Sequence, residues 1–253
     1  MKIVAAIKVV PNDEAISVAG DRTLDYSKAA QQISIYDLNA IEAAAQLAAA
    51  NGGSAVAISA SGSKAGDAKM KKGILSRDLD ELFMIADDAM VTADSLTTAK
   101  ALAKLVQDNA ADYDVIIAGD GSADVYAGAV SVQLAAVLGV PVVNNVTKIE
   151  VNGSVATVER TLDTEVQTLE VPLPAVLAVS PEIAEPRIAG MKDILAAGKK
   201  PATITDAAAA GAETAGVVAV EEIKAPVPAP RKCEIYGADD VAKFAEALAA
   251  AIR

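Results

Sequence analysis

Strand-length apolar runs recur along the chain at Ile3 to Val10, Ala55 to Ser59, Leu82 to Ala86, Val115 to Ala118, Val142 to Val146 and Ala175 to Val179. Segments with helical spacing of apolar residues lie between the early runs, at Leu38 to Ala50, Ala65 to Leu75, Ser95 to Gln107 and Val125 to Leu138. A strand that is apolar nearly throughout must be covered on both faces, and an alternation of such strands with helices supplies that cover. The pattern predicts a doubly wound α/β domain of Rossmann-like type, with a mostly parallel sheet, over residues 1–200. With 253 residues, 53% of them hydrophobic, the chain has room for one large domain and an appendage.

Two stretches break the rhythm. From Ile149 to Val171 the sequence alternates, and VNGSVATVERTL sets Asn152-Gly153 between two β-type runs, which predicts a hairpin excursion over 149–171. After Pro201 the composition shifts to alanine, glycine and proline, with APVPAP at 225–230, before an amphipathic helix from Ala238 to Ile252. Residues 201–253 therefore read as an arm carrying a helix, which either docks on a partner subunit or folds back on its own domain.

What the chain lacks narrows its chemistry. It has no histidine, which removes His-centred triads, imidazole bases and the commonest zinc ligand. Its one cysteine, Cys233, can form neither an internal disulfide nor a thiolate cluster. With 34 acidic against 22 basic residues, a net charge of −12 and no tryptophan, nucleic acid is not an expected partner. The N-terminal MKIVAAIKVVP is interrupted by Lys8, and no apolar stretch reaches membrane-spanning length, so a soluble, cytoplasmic protein without membrane insertion is expected. No metal site is expected.

In a doubly wound sheet, ligands sit beyond the C-terminal strand ends, where strand order reverses. The candidates in that set are Ala6 and Lys8 after the first run, Ser59, Ala60, Ser61 and Gly62 after the second, and Asp94, Thr97 and Thr98 before the third helix. The fourth run leads into AGDGSADVYAG, residues 118–128, with Gly119, Ser122, Asp124 and Gly128. Glycines there let the backbone approach a ligand, and Ser122 or Asp124 can cap the next helix, so bare N–H groups would face an anion such as phosphate. The same features also serve a tight βα turn, a solvated lysine and ordinary helix caps. Neither G-x-G-x-x-G after the first strand nor a P-loop motif is present, so a bound nucleotide would be held differently.

The stretch VERTLDTEVQTLEVPLPAVLA, residues 158–178, resembles the signature of the electron transfer flavoprotein β subunit. Val158, Arg160, Asp163, Glu165, Gln167, Leu169, Pro174 and Val176-Leu177-Ala178 carry the resemblance, and Thr164 departs from it. EPRIAGMKDILAAGKKP, 185–201, resembles the partner-recognition loop of that family, with Arg187 and Met191 as partner contacts. ISIYDLNAIEAA, 33–44, and LSRDLDELFMI, 75–85, resemble its FixA-type branch. The resemblance implies a heterodimer whose α subunit carries most of an FAD site, while the β subunit holds AMP or, in bifurcating members, a second FAD. It places Ala6 against the adenosine, Ser34, Tyr36 and Asp37 along the nucleotide, Ser59 to Gly62 in a second-strand loop, and Gly119, Ser122, Asp124 and Gly128 at the phosphates. Ala129 departs from the glutamine of many relatives. VTADSLTTAKAL, 91–102, resembles the segment that bifurcating members set against their second FAD.

The expected function is that of an electron carrier, not an enzyme. Electrons would pass between a flavin-containing dehydrogenase and a quinone oxidoreductase or other redox acceptor, and the bound flavin would supply the chemistry. The alternatives are a stand-alone nucleotide-binding regulatory module, which the first 150 residues or so would permit, and an ATP-dependent ligase or hydrolase, for which no catalytic groups are visible.

Overall fold

A computed structural model describes residues 1–231 and 233–252. Among these, nine strands form one sheet: β1 (Lys2–Ile7), β2 (Ser54–Ser61), β3 (Glu81–Ala86), β4 (Val115–Gly119), β5 (Val142–Asn152), β6 (Val155–Thr161), β7 (Val166–Pro172), β8 (Ala175–Val179) and β9 (Ala202–Thr205), in the spatial order β7-β6-β5-β8-β4-β1-β2-β3-β9. All pairings are parallel except those of β6 with β5 and β7. The helices are α1 (Ile35–Ala50), α2 (Ala68–Leu75), α3 (Ser95–Asn109), α4 (Val130–Leu138), α5 (Met191–Ala197) and α6 (Val241–Ala251). This is the doubly wound α/β fold that the alternating pattern predicts.

Both sheet faces are dry. Ile3, Ala5 and Ile7 of β1 pack with Ile41 and Leu47 of α1 and Ile74 of α2, whereas Val4 and Ala6 pack with Leu102 and Val106 of α3 and Leu134 of α4. Each fully buried aliphatic side chain of this kind contributes about 1.5–3 kcal/mol, which is why the strands are uniformly apolar.

The elements depart from expectation in four places. The first apolar run breaks at Lys8, and Val9–Pro11 turns away to pair antiparallel with Gln31–Ile33. The excursion is a three-stranded meander, β5-β6-β7, and its first turn is Gly153-Ser154, because Asn152 still pairs with Val155 while Gly153 takes φ +61°. The fourth helix starts at Val130, five residues later than its apolar pattern suggests, because the loop residues Tyr126 and Gly128 adopt left-handed backbone and end any earlier helix. Beyond Pro201, Ala202–Thr205 adds strand β9 beside β3.

Two compact units result, one comprising Met1–Ser17 with Asp25–Glu222 and the other Val18–Leu24 with the described residues from Ile223 on. Within the second, Thr23 and Lys224 form a β-bridge, the Arg22 guanidinium donates to the Ala225 carbonyl at 3.3 Å, and Tyr236 packs edge-on against Phe244 of α6. No helix among the described residues is long and apolar enough to cross a membrane.

Candidate functional site

The chain lays β1, β2 and β3 outward in one direction, then returns to place β4 on the other side of β1. Strand order reverses there, which makes the β1/β4 edge beyond Ile7 and Gly119 the crevice position for a ligand in a sheet of this kind. Asp37, on the first turn of α1, spans it: Oδ2 accepts from the Lys8 backbone N–H at 2.7 Å and Oδ1 from that of Gly119 at 3.2 Å. Asp37 is buried, and burial pushes its carboxyl up to about 7 against the pull of those two donors and of the Lys8 ammonium.

The loop after β4 folds against that strap. A Cβ on Gly119 would sit 2.8 Å from Asp37 Oδ1 and 3.0 Å from the Tyr36 backbone carbon, and one on Gly121 would run into the Tyr126 ring. These glycines admit close packing within the chain, with Tyr36 and Tyr126 tilted at a centroid distance of 5.0 Å. Ser34 precedes α1 without capping it, because its Oγ accepts from the Ala123 N–H at 3.3 Å. Ser122 donates to Asp124 at 2.6 Å, and Lys8 pairs with Asp124 at 2.7 Å. Burial works to raise the Asp124 carboxyl, but these partners outweigh it and leave the group below its ordinary range. Neither Ser122 nor Asp124 caps α4, contrary to expectation: Ser122 donates to Asp124, Asp124 accepts from Lys8, and the helix begins only at Val130.

The N-terminus of α4 is left without a side-chain cap, just after Gly128 at φ +61°. Two buried oxygens close by in sequence, Asp120 Oδ1 and Gln133 Oε1, have no hydrogen-bond partner among the described residues. Burial raises the Asp120 carboxyl, and Glu182 adds to the rise. A bare helix terminus beside a left-handed glycine binds phosphate oxygens through its backbone N–H groups. The Tyr36–Tyr126 pair adds an aromatic surface on which a planar ring could stack.

Other candidates lie around this centre. Ala6, one residue before the end of β1, lies between Ile58 and Ala118. Ser59 and Ser61 contact each other at 3.0 Å, and Ser61 accepts from the Val9 N–H, so both hydroxyls support the β1 exit. Ala60 belongs to the opposite core, and Gly62 packs against Val91. Asp94 caps α3 through the Thr97 N–H at 2.7 Å, and its second oxygen receives the Val217 and Val218 N–H groups. Thr97 and Thr98 donate their hydroxyls to Ala215 and Asp94 carbonyls. Their donors are thus engaged within the chain, outside the β1/β4 crevice.

Arg187 and Met191 stand apart again. The Met191 side chain is 74% exposed, flanked by Ile188 at 96% and Leu195 at 68%. Arg187 turns inward to Glu42 and Asp78. In the signature stretch, Arg160 meets Gln167 across β6 and β7 at 2.8 Å and reaches Asn144, and Gln167 donates to Glu165, so its polar residues knit the meander together.

Asn39, Glu42, Arg77, Tyr126 and Lys200 also make specific contacts, although composition and motif spacing do not single them out. A signal for two of them existed. Asn39 and Glu42 sit with Asp37 on the largely apolar helix IYDLNAIEAAAQLAAA, which is buried around most of its circumference, and a polar residue in such a helix must find a partner.

Comparison with protein-family models matches residues 22–210 to the electron transfer flavoprotein domain. The matched span covers α1, β2 to β9, the loop after β4 and the meander, and begins after β1 and Lys8. The chain belongs to the electron transfer flavoprotein family.

Proposed function

We propose that this chain is the β-type subunit of a heterodimeric electron transfer flavoprotein, with an adenylate in the β1/β4 crevice and an FAD held mostly by the α subunit. The observation that carries the crevice assignment is the uncapped N-terminus of α4 behind left-handed Gly128, at the one point where the parallel strands reverse order. There the N–H groups following Ala129 would hold phosphate, Tyr36 and Tyr126 would border the base, and Asp37 would keep the strand ends together. The flavin, when bound, supplies the redox chemistry; this chain binds and orients.

The adenylate belongs to AMP or to a second FAD, and bound-nucleotide stoichiometry distinguishes the sources. Co-expression with an α subunit, denaturation and chromatography should yield adenine nucleotide in excess of one FAD per heterodimer. One AMP with one FAD identifies a single-flavin carrier. Two FAD identify a second flavin, which would require rearrangement where segment 215–218 now engages Asp94 and Thr97. One FAD and nothing more removes the crevice assignment.

The exposed trio Ile188, Met191 and Leu195 supports docking to a flavin dehydrogenase. A flexible thioether suits a surface that meets varied partners. Met191→Ala should raise KM for the carrier roughly tenfold with flavin content unchanged, as expected when one apolar side chain worth about 1.5–3 kcal/mol of burial is lost from an interface. An unaltered KM would count against this loop as the docking surface. The α6 face bearing Val241, Phe244 and Leu248, all exposed, supports docking of the C-terminal segment on the α subunit. The acceptor side, a quinone oxidoreductase or another redox protein, is part of the same reading.

A further inference from the structure

We propose that Arg187 is a positioning residue, which fixes the loop that presents Ile188, Met191 and Leu195 and makes no contact with the redox partner. This rests on the reading of the loop as a docking surface, and it concerns how that surface is held.

Residue 187 is fastened at every polar group it has. Its Nε donates to Glu42 Oε2 at 2.6 Å and its NH2 to Glu42 Oε1 at 3.0 Å, a bidentate pair, while NH1 donates to Asp78 Oδ2 at 2.9 Å. Its backbone N–H also donates to Glu42 Oε2, and its carbonyl accepts from Arg77 NH1 at 2.6 Å. Glu42 comes from α1 and is 5% exposed; Asp78 follows α2 at φ +65°. One side chain therefore stitches the loop to two helices. A planar guanidinium matches a carboxylate in this way, and lysine cannot reproduce it.

The fastening lies between two others. Asn39 of α1 donates to the Pro181 and Ala184 carbonyls, and Lys200 donates to the Leu75 and Leu79 carbonyls at the end of α2. Between Arg187 and Lys200 the chain is held by buried Ala197 and by the local Asp193 cap on Gly190, and the three exposed apolar side chains project from this span or border it. Arg187 thus sets where the span begins. Because its charge is met by two carboxylates of its own chain, it adds little to long-range attraction of an acidic partner.

The test uses the assembled heterodimer with Arg187→Ala, Glu42→Gln and the double variant, which removes both charges of the buried pair, leaves only the exposed Asp78 without Arg187, and so carries the test if Arg187→Ala alone fails to fold. Hydrogen exchange over residues 185–197 and steady-state kinetics with the dehydrogenase that Met191→Ala slows are measured. Each single variant should speed exchange in that span about tenfold or more and raise KM about tenfold, with kcat held within about twofold and the salt dependence of KM unchanged. The double variant should be no worse than Arg187→Ala. If the effects of the two substitutions multiply, if Glu42→Gln leaves both exchange and KM unaltered, or if Arg187→Ala flattens the salt dependence, Arg187 contacts the partner directly and the proposal fails. Should Met191→Ala slow no dehydrogenase, the docking reading fails instead, and exchange alone still shows whether the clamp orders the loop.

Discussion

Gly119→Ala should lower the melting temperature by roughly 4–10 °C and loosen the crevice, although it adds a single methyl group to a βα turn. The new Cβ would lie 2.8 Å from Asp37 Oδ1, 2.9 Å from Tyr36 Cβ and 3.0 Å from the Tyr36 backbone carbon, and backbone at the start of α1 cannot step aside as a side-chain tip can. Overpacking of this sort costs about 1–3 kcal/mol, and one kcal/mol shifts the melting point of a domain this large by about 2–4 °C. Relief requires β4 and α1 to separate, which stretches the bond from the Gly119 N–H to Asp37. Gly121→Ala is the informative control: its Cβ meets only the ring of Tyr126, a half-exposed side chain that can swing out. That variant should cost little stability while losing the tyrosine pair. Thermal melts of both, read beside nucleotide content, check the contrast; equal melting points for Gly119→Ala and the parent protein would show that the turn is slack.

The sheet was legible because burial on both faces forces uniformly apolar strands, and a run such as Val115 to Ala118 has few other ways to be satisfied. Element ends were less so, for a local reason. The start of α4 is set by where Tyr126 and Gly128 take left-handed backbone, and a tyrosine in that conformation is held by its surroundings and leaves no propensity signal. Glycines in the loop were visible, but not their duty: Gly119 and Gly121 read as openings toward a ligand and prove to be clearances for Tyr36, Asp37 and Tyr126. Asp94, Thr97 and Thr98 read as ligand-side residues, yet Asp94 and Thr97 meet residues 215–218, more than a hundred positions away where no sequence window reaches, and Thr98 turns back to Asp94. Arg187 illustrates the same limit. An arginine in an exposed loop suggests a partner contact, and only the three-dimensional placement of Glu42 and Asp78 shows the charge turned inward.

Asp37→Asn should make the protein less sensitive to pH, and above neutrality more stable, despite altering a residue at the centre of the candidate site. Asp37 titrates near 3.8 when unfolded, but burial raises it to about 7 in the folded chain. The folded state therefore binds the proton more tightly, and the resulting stabilisation is fully present below about 3.8 and lost as pH rises through about 7. A rise of this size corresponds to about 4 kcal/mol at one kcal/mol and a third per pH unit, with the pull of the Lys8 and Gly119 N–H groups toward the ionised form already included. Asparagine has the shape of the neutral acid and does not titrate. The two proteins should have similar unfolding free energies only near pH 4 and below, and by pH 8 the asparagine variant should lead by a few kcal/mol. The strap would then be weaker in function, since an amide offers one acceptor where two backbone N–H groups wait. Ionisation of Asp37 also puts negative charge beside the proposed phosphate, so nucleotide retention in the parent protein should fall above pH 7 more steeply than in the variant. Urea titrations of both proteins between pH 5.5 and 8 decide the matter: a constant difference across that range would mean that Asp37 is ionised throughout and that the two N–H donors outweigh its burial.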